Sequence, residues 1–94
     1  MDIRHEDNAH NGIFFIGENG KIVARMTYIW EGAHKIIIEH TIVDESLKGQ
    51  GIGKKLVLSG VAFAREKGLK IHPVCSFAKK VLENNPEFLD VLES

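Results

Sequence analysis

Along the first half of the chain apolar and polar residues alternate in twos, and along the second half they recur in threes and fours. Residues 12–17 form a short apolar run, Glu18-Asn19-Gly20-Lys21 carries the Asn-Gly signal of a tight hairpin, and residues 22–30 alternate. In that alternating run Ile22, Ala24, Met26, Tyr28 and Trp30 fall on one face of a strand, with Val23, Arg25, Thr27 and Ile29 on the other. After a turn at Glu31-Gly32-Ala33-His34, residues 35–43 are rich in β-branched side chains and predict a third strand. Unbroken alternation through it puts His40 on a face with Ile36, Ile38 and Ile42.

The period then changes. Between residues 52 and 67, Ile52, Leu56, Val57, Gly60, Val61, Phe63 and Ala64 recur at helical spacing, and Gly68 stands where a left-handed cap ends a helix. Residues 69–75 read as a fourth strand interrupted at Pro73, and Ser76 as the N-cap of a helix through Phe77, Ala78, Val81 and Leu82. Asn84-Asn85-Pro86 stops that helix, leaving Phe88, Leu89 and Leu92 for a last short turn or helix. Residues 1–10 are polar and are expected to form a loose tail. The order predicts an α+β domain: an antiparallel β-meander followed by α-β-α, with helices packed on a central mixed sheet.

Ninety-four residues are enough for a single small domain. Twelve Lys and Arg against thirteen Asp and Glu give a formal charge of −1, which disfavours a dedicated nucleic-acid binder. One cysteine excludes a disulfide framework and any multi-cysteine metal site, and the histidines match no zinc spacing. No apolar stretch approaches the roughly 20 residues that span a bilayer, and the first residues lack the apolar core of a signal peptide. A cytoplasmic protein without membrane or metal partners, a monomer or weak dimer, is the expectation.

Between the third strand and the first helix lies Lys48-Gly49-Gln50-Gly51-Ile52-Gly53-Lys54. Three glycines in five residues oppose helix propensity, since a helical glycine costs about 0.8–1 kcal/mol against alanine. What they offer is backbone that a ligand can approach, at a helix mouth whose free N–H groups and dipole suit an anion. Lys54 and Lys55 oppose the dipole in the first helical turn, which a polyanionic ligand would relieve. A Walker A loop is excluded: Lys48 occupies the place of its first glycine and Lys55 that of its hydroxyl. The dinucleotide fingerprint fails as well, because its last glycine would fall on Lys54 or Leu56. A glycine-rich connection without a ligand is the plainer alternative.

This turn, set between a strand and a helix, resembles the acyl-CoA-binding turn of the GNAT superfamily of N-acetyltransferases, Arg/Gln-x-x-Gly-x-Gly/Ala, with Lys48 in place of the usual Arg or Gln. The strand–turn–helix and the strand–helix that follow cover about half the chain in the family's order. The helices that typical members place between their first two strands are missing, so the chain resembles the minimal single-domain branch. The resemblance implies acetyl-CoA as co-substrate and an amine acceptor. Its pyrophosphate would bind Lys48, Gly49, Gln50, Gly51, Ile52, Gly53 and Lys54, and its pantetheine arm would pair with the backbone of Thr41, Ile42 and Val43 as an added strand. Members of the minimal branch pair a histidine on the third strand with a cysteine after the fourth, which here are His40 and Cys75.

Both residues also have a local rationale. Cys75 ends a strand directly before a helix, where the dipole favours thiolate and hence a nucleophile; a lone cysteine is otherwise a small buried hydrophobe. His40, a titratable ring among isoleucines, is either a satisfied core histidine or a general base. Many GNAT members carry a tyrosine acid in the last helix, but the only tyrosine here is Tyr28, in the second strand. A non-catalytic CoA-binding or protein-interaction module of the same fold is the competing reading.

Overall fold

A computed structural model describes residues 2–93. Its strands are β1 (Arg4–Asp7), β2 (Asn11–Glu18), β3 (Lys21–Trp30), β4 (Lys35–Val43) and β5 (Lys70–Pro73); its α-helices are α1 (Ile52–Lys67) and α2 (Ser76–Glu83). Short 3-10 turns at Glu45–Leu47 and Pro86–Phe88 complete the order. The strands form one sheet in the order β1-β2-β3-β4-β5. Its first three pairings are antiparallel and β4–β5 is parallel, so the sheet is mixed, as expected. The β2–β3 hairpin turns through Asn19 (φ 52°) and Gly20 (φ 75°), the pair of positive angles that an Asn-Gly turn supplies.

One face of the sheet carries the core. Phe14, Ile16, Ala24, Met26, Tyr28, Ile36, Ile38 and Ile71 pack beneath Leu56, Val57, Val61 and Ala64 of α1 and Ala78 and Leu82 of α2. Helix α1 runs over the predicted residues and ends on Gly68 in the left-handed conformation, whose N–H donates to the Ala64 carbonyl. Ile22, which alternation puts on one face with the buried Ala24, Met26 and Tyr28, is 45% exposed. The register between β2 and β3 slips by one at Ile16/Gly17, so Gly17 pairs with Ile22 and Val23 is the extra residue. Helix α2 is capped by Cys75 instead of Ser76, which is its first residue. Among the described residues no helix is long and apolar enough to cross a membrane.

The loose tail expected of residues 1–10 is not found. Arg4–Asp7 is a strand paired with β2, with Arg4 opposite Phe15 and Asp7 opposite Gly12. Polar contacts hold it in place. The Tyr28 hydroxyl donates to Asp7 Oδ2 at 2.6 Å, and Trp30 Nε1 donates to the same oxygen at 2.8 Å. Since the tyrosine proton is committed to Asp7, the His5 Nε2–H donates to the Tyr28 oxygen, at 2.6 Å. The His5 ring stacks on Phe14 with centroids 4.0 Å apart. At the opposite edge β5 is covered by the C-terminal segment: Ile71 N–H donates to the Val91 carbonyl (2.7 Å), and Glu93 N–H to the Ile71 carbonyl (2.9 Å).

Candidate active site

The site begins where β4 and β5 part. Their parallel pairing runs from Lys35↔Lys70 to Ile38↔Pro73 and stops. The Ile38 carbonyl then accepts two amides, Val74 N–H at 2.9 Å and Cys75 N–H at 3.1 Å, which turns the chain away from the sheet and into α2. Beyond Ile38, β4 keeps its partner on one side only: Thr41 faces Met26, Ile42 faces Arg25 and Val43 faces Ala24 on β3. Among the described residues no strand lies beside its other edge from Glu39 to Val43, and apart from the Thr41 amide, which faces the Cys75 sulfur, its ladder groups are open to an extended ligand.

A bulge reverses the faces of β4 at the same point. Thr27 pairs with His40 and Tyr28 with Ile38, so Glu39 is the extra residue. Before the bulge Ile36 and Ile38 point under the helices, both with 0% exposure. After it the inward positions are Thr41 and Val43, and Ile42 is 49% exposed on the far face. His40 is exposed too, and does not share a face with Ile36 and Ile38 as expected. One extra residue inverts every side chain downstream of it.

The inward Thr41 therefore takes the place beside Cys75 that alternation assigns to His40. Thr41 Oγ1 and Cys75 Sγ are 3.5 Å apart. Burial pushes the half-buried Cys75 thiol up, but the Thr41 hydroxyl and the backbone amides of Ala78, Phe77 and Thr41 outweigh it and hold the thiol below its ordinary value. The Thr41 hydroxyl is the largest lowering influence, and two of the amides belong to the first turn of α2, so the helix mouth expected to favour thiolate adds to it. The structure brings Cys75 and Thr41 together, and leaves His40 on the other side of the sheet.

The glycine-rich turn lies alongside. Gly49 (φ 83°) and Gly51 (φ 70°) both adopt the left-handed conformation, with open space around them. Gly51 is the N-cap of α1 and supplies no side chain, and the first turn has no acidic residue. Lys55 N–H donates to the Gly51 carbonyl at 3.1 Å, so the amides before Lys55 have no helical acceptor. The turn and the free edge of β4 enclose one cleft of about 520 Å³. Of the residues that the resemblance assigns to CoA, Thr41, Val43, Lys48, Gly49, Gly51, Ile52, Gly53 and Lys54 line it, whereas Ile42 and Gln50 do not. Leu47, Phe77 and Val81 line it as well, and none of the three was expected there. Lys48 pairs with Glu45 at 2.9 Å, both side chains well exposed.

The GCN5-related N-acetyltransferase model matches residues 13–91, from β2 through the C-terminal segment. The chain belongs to that family. It carries the family's acetyltransferase domain, and its likeness to a small solved member covers nearly the whole chain. That member, a GCN5-like N-acetyltransferase candidate from Staphylococcus aureus solved by NMR, is 38% identical, superposes with a TM-score of 0.78, and is matched over 99% of this chain and 88% of its own. A CoA complex of aminoglycoside N-acetyltransferase AAC(6')-Iy shares the fold at 13% identity, with a TM-score of 0.63 over 88% of each chain. Protein NATD1 of Xenopus tropicalis is 31% identical over 72 residues, 74% of this chain and 66% of that protein's length.

A second cleft, of about 490 Å³, opens on the N-terminal side of the bulge. Glu6, Asp7 and Glu39 line it together with Asn8, Asn11 and Thr27, whose hydroxyl oxygen is shielded and has no partner among the described residues. No motif marks it in the sequence, because its residues come from four strands that only the register brings together.

Proposed function

We propose that the protein transfers an acetyl group from acetyl-CoA to an amine, by way of Cys75. The observation that carries the proposal is a cleft between the free β4 edge and the uncapped mouth of α1 with its glycine turn, whose lining residue Thr41 has its hydroxyl 3.5 Å from the Cys75 thiol at the mouth of α2. The pyrophosphate would lie on the amides from Gly49 to Lys54. The pantetheine arm would extend along the backbone of Thr41, Ile42 and Val43 as an added strand, bringing the thioester toward Cys75.

The Cys75 thiolate would attack the thioester carbonyl. An S–C bond forms at Sγ, the bond to the CoA sulfur breaks, and the CoA thiolate leaves and takes a proton from solvent. An acceptor amine then attacks the acetyl-cysteine carbonyl, the new N–C bond displaces Sγ as thiolate, and the amine gives up a proton. His40 is one residue from Glu39 and opposite Thr27, both of which line the acid-lined cleft. That position is across the sheet from Cys75, so the proton that the amine gives up at the acetyl-cysteine passes to solvent rather than to His40. The Glu6, Asp7 and Glu39 carboxylates favour a cationic acceptor in the acid-lined cleft.

Intact-mass measurement after incubation with acetyl-CoA tests this directly. One added acetyl group mapping to Cys75, and lost in Cys75→Ala together with transfer, is the expected result. Transfer that persists in Cys75→Ala would mean that the amine attacks acetyl-CoA itself. A protein stabilised by CoA but never acetylated and never transferring would be the non-catalytic CoA-binding module.

A further inference from the structure

We infer that Phe77 is the wall on which the pantetheine arm of CoA rests, and that Gly53 is a glycine to make room for the Phe77 ring rather than for a phosphate. The inference rests on the acyl-CoA reading above and assigns two residues within it. The three glycines of the turn are not equivalent. Gly49 and Gly51 need their left-handed dihedrals, and a Cβ added to either meets nothing within 4 Å. Gly53 lies inside α1 without a positive φ, and a Cβ built there falls 2.9 Å from both Cε2 and Cζ of Phe77. That is closer than side-chain atoms approach, and the obstacle is the end of an aromatic ring from another helix.

Phe77 reaches that position from the first turn of α2, two residues after Cys75. Helix α2 buries Ala78 and Leu82 in the core, whereas Phe77 stays 41% exposed and faces the cleft with Thr41, Val43 and Val81. The ring thus touches α1 at the phosphate end of the cleft, while its backbone lies in the first turn of α2, two residues from Cys75. An arm running from the turn to Cys75 must pass it. The part of CoA that spans this distance carries a gem-dimethyl group and methylene chains, the chemistry that gains by covering a half-exposed ring.

Calorimetric titration of the whole protein with CoA and with 3′-phosphoadenosine 5′-diphosphate, which keeps the phosphates but lacks the arm, tests both assignments. Phe77→Ala is expected to weaken CoA roughly tenfold and leave the fragment within about twofold. Phe77→Leu should recover most of the CoA affinity, and thermal melts identify any variant that does not fold. Gly53→Ala is expected to weaken CoA in the parent and to be nearly silent in the Phe77→Ala background, where the added methyl has space. Equal loss of CoA and fragment in Phe77→Ala, or a Gly53→Ala penalty unchanged by removing the ring, would overturn the inference and return Gly53 to the phosphate. If the unaltered protein bound neither ligand, the acyl-CoA reading itself would fall, and this inference with it.

Discussion

The two halves of β4 are built from the same kind of residue and behave in opposite ways. Before Glu39 the strand is paired on both sides and its isoleucines alternate cleanly, with Ile36 and Ile38 sealed under the helices. After Glu39 it is paired on one side, its inward positions are Thr41 and Val43, and an isoleucine faces outward. The first half is scaffold, and the second presents open backbone and a hydroxyl to a cleft. The bulge and the loss of β5 as a partner coincide at Ile38, so a single place in the chain converts one into the other.

The largest effect should come from shifting the alternation just past the bulge. Inserting one alanine between His40 and Thr41 moves the downstream strand by one residue, turning Thr41 and Val43 outward and driving Ile42 under the helices. CoA affinity is expected to fall at least tenfold or so, with a large drop in melting temperature. A variant that binds CoA normally would show that the cleft is aimed by something else.

Next in size is the contrast between two isoleucines of one strand. Ile38→Ala should cost about 2–5 kcal/mol of stability, and Ile42→Ala no more than about 0.5 kcal/mol. Chemical denaturation measures both, and equal losses would contradict the reversal of faces.

The thiol gives a finer reading. In Thr41→Val the Cys75 pKa should rise, and iodoacetamide labelling near neutral pH should slow roughly three- to tenfold. His40→Ala should leave labelling within about twofold, since its ring lies across the sheet. Slower labelling in His40→Ala than in Thr41→Val would put the histidine back beside the sulfur.

The smallest effect belongs to the row just before the bulge, where Asp7, Gly12, Tyr28 and Ile38 lie side by side. Tyr28→Phe should cost about 1 kcal/mol and leave Cys75 labelling unchanged. This row also sets an acid limit. Burial holds His5 below the ordinary histidine value despite the pull of Asp7. For Asp7 burial works the other way, but hydrogen bonds from Tyr28, Ala9 and Trp30 outweigh it and keep the carboxyl below its usual range. In both cases the unfolded chain takes up the proton first. Stability is therefore full above the histidine range, falls as pH drops through it, and falls again below the carboxylate range. Melting temperature against pH should show both steps, the lower one shallower in Tyr28→Phe.

The elements with a periodic apolar signal were the legible ones. The Asn19-Gly20 hairpin, α1 with its Gly68 cap, and the glycine turn all declare themselves in residues whose backbone preferences are strong. β1 does not, because it has four polar residues and is held by His5 and Asp7 bonding Tyr28 and Trp30, contacts with no local signature. The bulge at Glu39 was equally hidden: nothing in Ile38-Glu39-His40 marks an extra residue, and the error it caused fell on His40. Cys75 was legible from its place before a helix, whereas Thr41 as its neighbour and Phe77 as a cleft wall depend on how two helices meet the sheet.

The covering of β5 has a consequence for how these molecules behave in a crowd. A sheet ends in two rows of unpaired peptide groups, and either row can recruit a strand from another molecule. On the β1 side the row is short and set among charged residues, Arg4, Glu6 and Asp7. On the β5 side the strand carries the apolar Ile71, and its guard is the contact with Val91 and Glu93, kept in place by a two-pronged Arg65–Asp90 ion pair with both bonds at 2.9 Å. Loosening that clasp, as Arg65→Ala would, bares a ready template and should show itself first as aggregation on storage, before any loss of fold.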